Sequence, residues 1–120
     1  MIATATIDHT RLASCLAVQG ADRTARLIAE VLSTIEALVA ELGRRAAQAD
    51  WRRIAGSVGD LARTYGLVSL ETGSAALVKR LESQDFDPNQ ATVDLRLRLQ
   101  ATQESLAALG LLGAQPRKVG

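Results

Sequence analysis

The chain has 120 residues, 48% of them apolar and 22% charged, with a formal net charge of +1 and a pI of about 8.0. That length fits one domain with a modest core rather than two, and the apolar fraction argues against wholesale disorder. The near-balanced charge argues against a nucleic-acid binder that works by neutralising phosphates. Aromatic residues make up 2%, namely Trp51, Tyr65 and Phe86, while Ala and Leu abound, which favours helices over an all-β fold. One Cys and one His leave no internal disulfide framework and no ordinary zinc site, so no metal or cofactor is expected. A lone Cys15 fits a reducing compartment. No uncharged run reaches the roughly 18–20 residues of a spanning helix, and Met1–Thr6 lacks the basic start of a signal peptide. The expectation is a cytoplasmic protein without membrane or nucleic-acid partners.

Five helical segments follow in order. The first is short, capped by Asp8 or Thr6, turns Leu12, Leu16 and Cys15 inward, and stops at Gly20. Asp22 is the expected cap of a long second helix reaching about Gln48. Its apolar row is Leu27, Val31, Ile35, Leu38, Leu42 and Ala46, weakened locally by Gly43. Asp50 is the expected cap of the third, whose row is Trp51, Ile54, Val58, Leu61 and Tyr65, with Gly66 as its C′ residue. The fourth spans about Ser69 to Ser83, with Leu70, Gly73, Leu77 and Leu81 inward. Gln84–Asn89 is the one clear linker, and Pro88 suits the first turn of a fifth helix. Within that helix Asp94–Leu99 alternates with period two, as a strand would. Leu95, Leu99, Thr102, Leu106 and Leu109 keep the helical step for longer, and helix is the expectation. Four long amphipathic helices on short connections predict an all-α, antiparallel up-down-up-down four-helix bundle with a short additional N-terminal helix. The domain covers residues 1–112, and the tail 113–120 is expected to fray.

The third helix carries a pattern. Asp50-Trp51-Arg52-Arg53-Ile54-Ala55-Gly56-Ser57-Val58-Gly59-Asp60-Leu61-Ala62-Arg63-Thr64-Tyr65-Gly66-Leu67 resembles the signature helix of histidine phosphotransfer (Hpt) domains. In that family an acidic-aromatic start leads to an Ala-His-x-Leu-Lys-Gly core and an apolar-Gly-apolar ending. Residues 7–22 resemble the family's first helix and its glycine turn, and the likeness extends over roughly residues 7–110. It implies a bundle that exchanges phosphoryl groups with receiver domains. Aligned on Ala55 and Tyr65-Gly66-Leu67, however, Gly56 stands at the phosphoacceptor His, Gly59 at the Lys and Asp60 at the small Gly. A relay His attacks an aspartyl phosphate through a ring nitrogen. Gly56 offers no nucleophile, Gly59 no charge to offset phosphate, and Asp60 sets a carboxylate against anionic oxygens.

At about 100° per residue Gly56 falls roughly 160° from the inward Val58, so bundle packing does not account for it. Gly59 borders the inward face, where packing could. The functional alternative is a flat surface that admits a partner's side chains. Its candidate residues are Arg52, Arg53, Gly56, Ser57, Gly59, Asp60 and Arg63, with the arginines steering an acidic receiver pocket. The plainer account of these arginines, as of Arg44-Arg45 and Lys79-Arg80, is a solvated helix surface. Phosphorylation of Ser57 or Thr64 would leave a stable ester that relays nothing onward.

The expectation is therefore a non-phosphorylatable Hpt-like module, not an enzyme, that binds a response-regulator receiver domain or a histidine kinase. One alternative is a helical structural or oligomerisation module, weakly self-associating through Ile28, Val39 and Val78. The other is active phosphotransfer from an atypical acceptor, for which His9 is the only imidazole. The plainer account makes His9 a solvated residue beside a cap and Cys15 a small buried hydrophobe.

Overall fold

The computed structural model describes residues 6–42, 48–83 and 86–111. They form five α-helices and, among the described residues, no strand: α1 (His9–Gln19), α2 (Ala21–Leu42), α3 (Gln48–Thr64), α4 (Val68–Ser83) and α5 (Pro88–Ala108). The Asp94–Leu99 stretch is helical, so the longer period prevails over the local alternation. The expectations for Gly43, Ala46, Gln84 and the tail from Gly113 fall outside the described residues.

Helix ends explain most of the boundaries. Asp8 caps α1, its carboxylate accepting from the Arg11 N–H at 3.1 Å. Gly20, at φ +86°, closes α1 by donating its N–H to the Leu16 carbonyl at 2.8 Å. The Gly20 carbonyl accepts from the Thr24 N–H at 3.1 Å and so opens α2. One residue serves both ends, which puts Asp22 inside the first turn of α2 rather than at its cap. Asp50 is corrected in the same way. Because α3 begins at Gln48, Asp50 lies in the first turn, where its charge suits the positive helix end and reaches Arg53 at 3.8 Å. Gln48 thus opens α3 instead of closing α2.

The turn after α3 is a Schellman closure around Gly66, at φ +73°. The Leu67 N–H donates to the Ala62 carbonyl at 2.8 Å and the Gly66 N–H to Arg63 at 3.3 Å. Asp87 caps α5 by accepting from the Asn89 and Gln90 N–H groups at 3.0 and 3.4 Å, with Pro88 in the first turn. Phe86 stands edge-on to Trp51, ring centres 4.8 Å apart.

The helices α2 to α5 pack as a closed ring, α2 on α3, α3 on α4, α4 on α5 and α5 back on α2, with α1 laid against α2. Trp51, Ile54, Val58, Leu67, Leu70, Leu81, Leu95 and Leu106 fill the centre. The buried row of α2 is Thr24, Ile28, Leu32, Ile35, Val39 and Leu42. Compared with the expected row, with which it shares Ile35 and Leu42, it is turned by roughly 40° at about 100° per residue, so that Leu27, Val31 and Leu38 sit half-buried at its edge. Both rows keep the three-and-four spacing, because α2 has neighbours on several sides and a wide apolar arc. Buried Thr24 is satisfied by donating its hydroxyl to the Cys15 carbonyl at 3.3 Å. Ile28 and Val39, at 0% and 2% exposure, are core residues and offer no outward patch, and Val78 is half-buried. Leu109 is 45% exposed because α5 has ended at Ala108 and the chain has turned away from the core.

Candidate functional site

Gly56 lies midway along α3 on its exposed side, and nothing stands within 4 Å of where a Cβ would project. Beside it a trough of about 220 Å³ runs between α3 and α4. Its α3 wall holds Gly56, Gly59, Asp60 and Arg63, and its α4 wall holds Glu71, Ser74 and Val78. Gly59 is buried at the bottom, and a Cβ there would meet the Ser74 Cβ at 3.6 Å, an ordinary contact. Ser74 is 2% exposed, and its hydroxyl is the one buried side-chain polar atom without a hydrogen-bond partner among the described residues. A helical serine can bond back to the carbonyl four residues earlier, but Ser74 makes no such bond.

The charges at the upper rim are paired. The Arg63 guanidinium donates to Glu71 at 3.0 Å and reaches Asp60 at 3.4 Å. Arg11 of α1 lies 3.6 Å from the same Glu71 carboxylate and donates to the Arg63 carbonyl at 3.0 Å, meeting the negative end of α3. Asp8 completes the cluster 3.7 Å from Arg11. The Asp8 N–H donates to the Gly66 carbonyl at 2.7 Å, which fastens the N-terminal segment to the α3–α4 turn. Arg52 and Arg53 leave α3 in different directions, Arg52 to Glu82 of α4 at 3.5 Å and Arg53 to Glu41 of α2 at 3.0 Å.

Of the seven residues singled out from the sequence, four line the trough: Gly56, Gly59, Asp60 and Arg63. Arg52, Arg53 and Ser57 lie outside it, and the arginines are engaged with their own bundle instead of forming a joint basic rim. The α4 wall, with Glu71 and Ser74, and the contribution of Arg11 went unread, because neither leaves a pattern along the chain. His9 is exposed at the start of α1, lining a separate hollow with Thr6, Ile7, Ser105, Ala108 and Leu109 that shares no residue with the trough. Cys15 is half-buried and points its thiol at the Thr64 carbonyl, 3.6 Å away. Among the described residues no cluster of His, Cys, Asp and Glu could hold a metal ion, and no helix is long and apolar enough to cross a membrane. Comparison with family models, with curated proteins and with solved structures found no match to this chain.

Proposed function

We propose that the chain is an Hpt-like bundle with an up-down-up-down course of α2–α5, and that it modulates two-component signalling by docking, without chemistry of its own. Its partner is a response-regulator receiver domain or a histidine kinase, and the contact is the α3–α4 trough beside Gly56. The observation that carries this reading is the convergence of three unfavourable choices on one place. A glycine inside a helix costs about 1 kcal/mol relative to Ala. A buried hydroxyl without a partner costs roughly 1–3 kcal/mol. Gly56, Gly59 and Ser74 all border the same trough, and nothing around Gly56 or Gly59 needs the missing methyl. Departures from local optimality that share a surface mark a place selected for something other than stability.

The chemistry follows from what stands there. Gly56 supplies no atom to accept a phosphoryl group, so an engaged receiver keeps its own. Asp60 and Arg63 offset each other, and Arg52 and Arg53 are paired on either side, so long-range steering is weak. Docking here depends on shape and on polar contacts within the trough, and its affinity should vary little with salt.

The test is a titration of isotope-labelled protein with a panel of receiver and kinase dimerisation domains, followed by amide NMR. The expected result is shifts at Gly56, Gly59, Ser74 and Val78 with at least one partner. Gly56→Arg, whose side chain enters open space and leaves the fold intact, should abolish them. Absence of shifts in the trough with every receiver and kinase tested sinks the reading.

A further inference from the structure

The outward face of α5 carries large apolar side chains among its polar ones. The buried row Ala91, Leu95, Leu99, Thr102 and Leu106 defines one side of the helix. Opposite it, one turn apart, Val93 and Leu97 are 56% and 61% exposed. Ala101 and Ala108 continue that stripe at helical spacing, half-buried and exposed respectively. Single exposed apolar residues are ordinary, as Val18 is on α1, whereas a stripe along one helix is a surface that a partner could cover. Next to it runs a trough of about 430 Å³ between α2 and α5, with Val39 and Leu99 in its lining and Glu36 and Arg96 among its charged residues.

The charges along this face are self-complementary. Arg96 and Glu104 stand two turns apart on α5, and neither has an ion-pair partner among the described residues; Glu104 only accepts from Gln100 at 3.4 Å. Two α5 helices laid antiparallel about a two-fold axis near Gln100 bring Arg96 of each copy opposite Glu104 of the other. The same register sets Val93 of each against Ala108 of the other, and Leu97 against the small Ala101 and the apolar stem of Glu104. A two-fold contact uses each favourable pair twice. We propose that the protein forms a homodimer through the outer face of α5 in this antiparallel register. In the ring α5 stands across from α3, so both α3–α4 troughs stay open in the dimer.

The test is sedimentation equilibrium of the full chain in reducing buffer, from about 10 μM to about 1 mM, which reads dissociation constants across that range. The expected result is a reversible monomer–dimer equilibrium. Leu97→Glu should raise its dissociation constant by at least about tenfold with helicity unchanged by circular dichroism. Arg96→Glu and Glu104→Arg should each weaken the dimer, and the two together should restore it. A monomer at every concentration overturns the proposal, as does a dimer indifferent to Leu97→Glu. Failure of the paired charge reversal to restore association overturns the antiparallel register. None of these readouts depends on receiver or kinase binding.

Discussion

The α3–α4 turn and the neighbouring contact of α4 with α5 each hold a glycine whose missing side chain the packing uses, whereas the middle of α3 carries two that the fold could do without. Gly66 holds a left-handed backbone, and a Cβ on it would stand 2.9 Å from the Asp8 carbonyl oxygen. At Gly73 the space is filled: a Cβ would lie 2.5 Å from Cδ of Arg98, whose guanidinium crosses α4 to donate to the Ser69 carbonyl at 2.9 Å and pairs with Asp94 at 2.8 Å. At Gly56 a Cβ would meet nothing, and at Gly59 only an ordinary contact. The same residue type is thus used by the packing at Gly66 and Gly73 and is a forgone stabilisation along the trough. Composition cannot separate Gly73 from Gly56 and Gly59, since all three read as glycine within a helical pattern, whereas Gly66 reads as a helix end.

The largest effect belongs to the turn. Gly66→Ala forces a side chain into a left-handed backbone and against the N-terminal segment, and should cost about 2–4 kcal/mol. Urea denaturation should show a lower midpoint with an unchanged slope. A midpoint within error of the parent would mean that the Asp8–Gly66 contact is easily given up, and the turn would lose its place in the comparison.

The next effect lies in Gly73 and Arg98 together. Gly73→Ala gains about 1 kcal/mol of helix propensity but pushes the guanidinium off Ser69, a charge-assisted bond worth roughly 1.5–3 kcal/mol. The net should be a loss of about 1 kcal/mol. In an Arg98→Ala background the obstacle is gone, and the same substitution should stabilise by about 1 kcal/mol. A double-mutant cycle reads this change of sign directly. Equal effects in both backgrounds would show that Arg98 swings aside at no cost.

How much of this could be read along the chain follows from which interactions are local. The helix ends marked by Asp8, Gly20, Gly66 and Pro88 were legible because each is set within a few residues. So was the helical state of α5, because four turns of period outweigh six alternating residues. Asp22 and Asp50 misled because an acid in the first turn looks like a cap in sequence: Gly20 ends one helix and starts the next, and α3 starts two residues before its acid. The inward row of α2 was displaced because two adjacent rows carry the same spacing, and only the neighbours α3 and α5 choose between them. At the site, the outward direction of Gly56 is plain helix geometry counted from Val58. The α4 wall depends on how α4 lies against α3, so Ser74 opposite Gly59 has no signature in sequence. The diverging ion pairs of Arg52 and Arg53 depend equally on where Glu82 and Glu41 arrive.

The smallest effects test the other half of the comparison, and their sign matters more than their size. Gly56→Ala and Gly59→Ala should each stabilise by about 1 kcal/mol through helix propensity. Ser74→Ala should stabilise by about 1 kcal/mol by removing a hydroxyl that bonds to nothing. A Cβ at Gly56 would not reach Ser74, so Gly56→Ala and Ser74→Ala should add. The combined gain should raise the melting temperature by several degrees, at roughly 4 °C per kcal/mol. A Cβ at Gly59 would stand 3.6 Å from the Ser74 Cβ, so that pair should depart from additivity. Destabilisation by any of the three would assign that residue to the fold after all. If all three stabilise, the trough holds at least about 2 kcal/mol of unused stability. That surplus gives the docking proposal its sharpest form: the stabilised variants should melt later and bind the receiver or kinase more weakly, because the room and the hydroxyl that the fold leaves unused are what the partner would occupy.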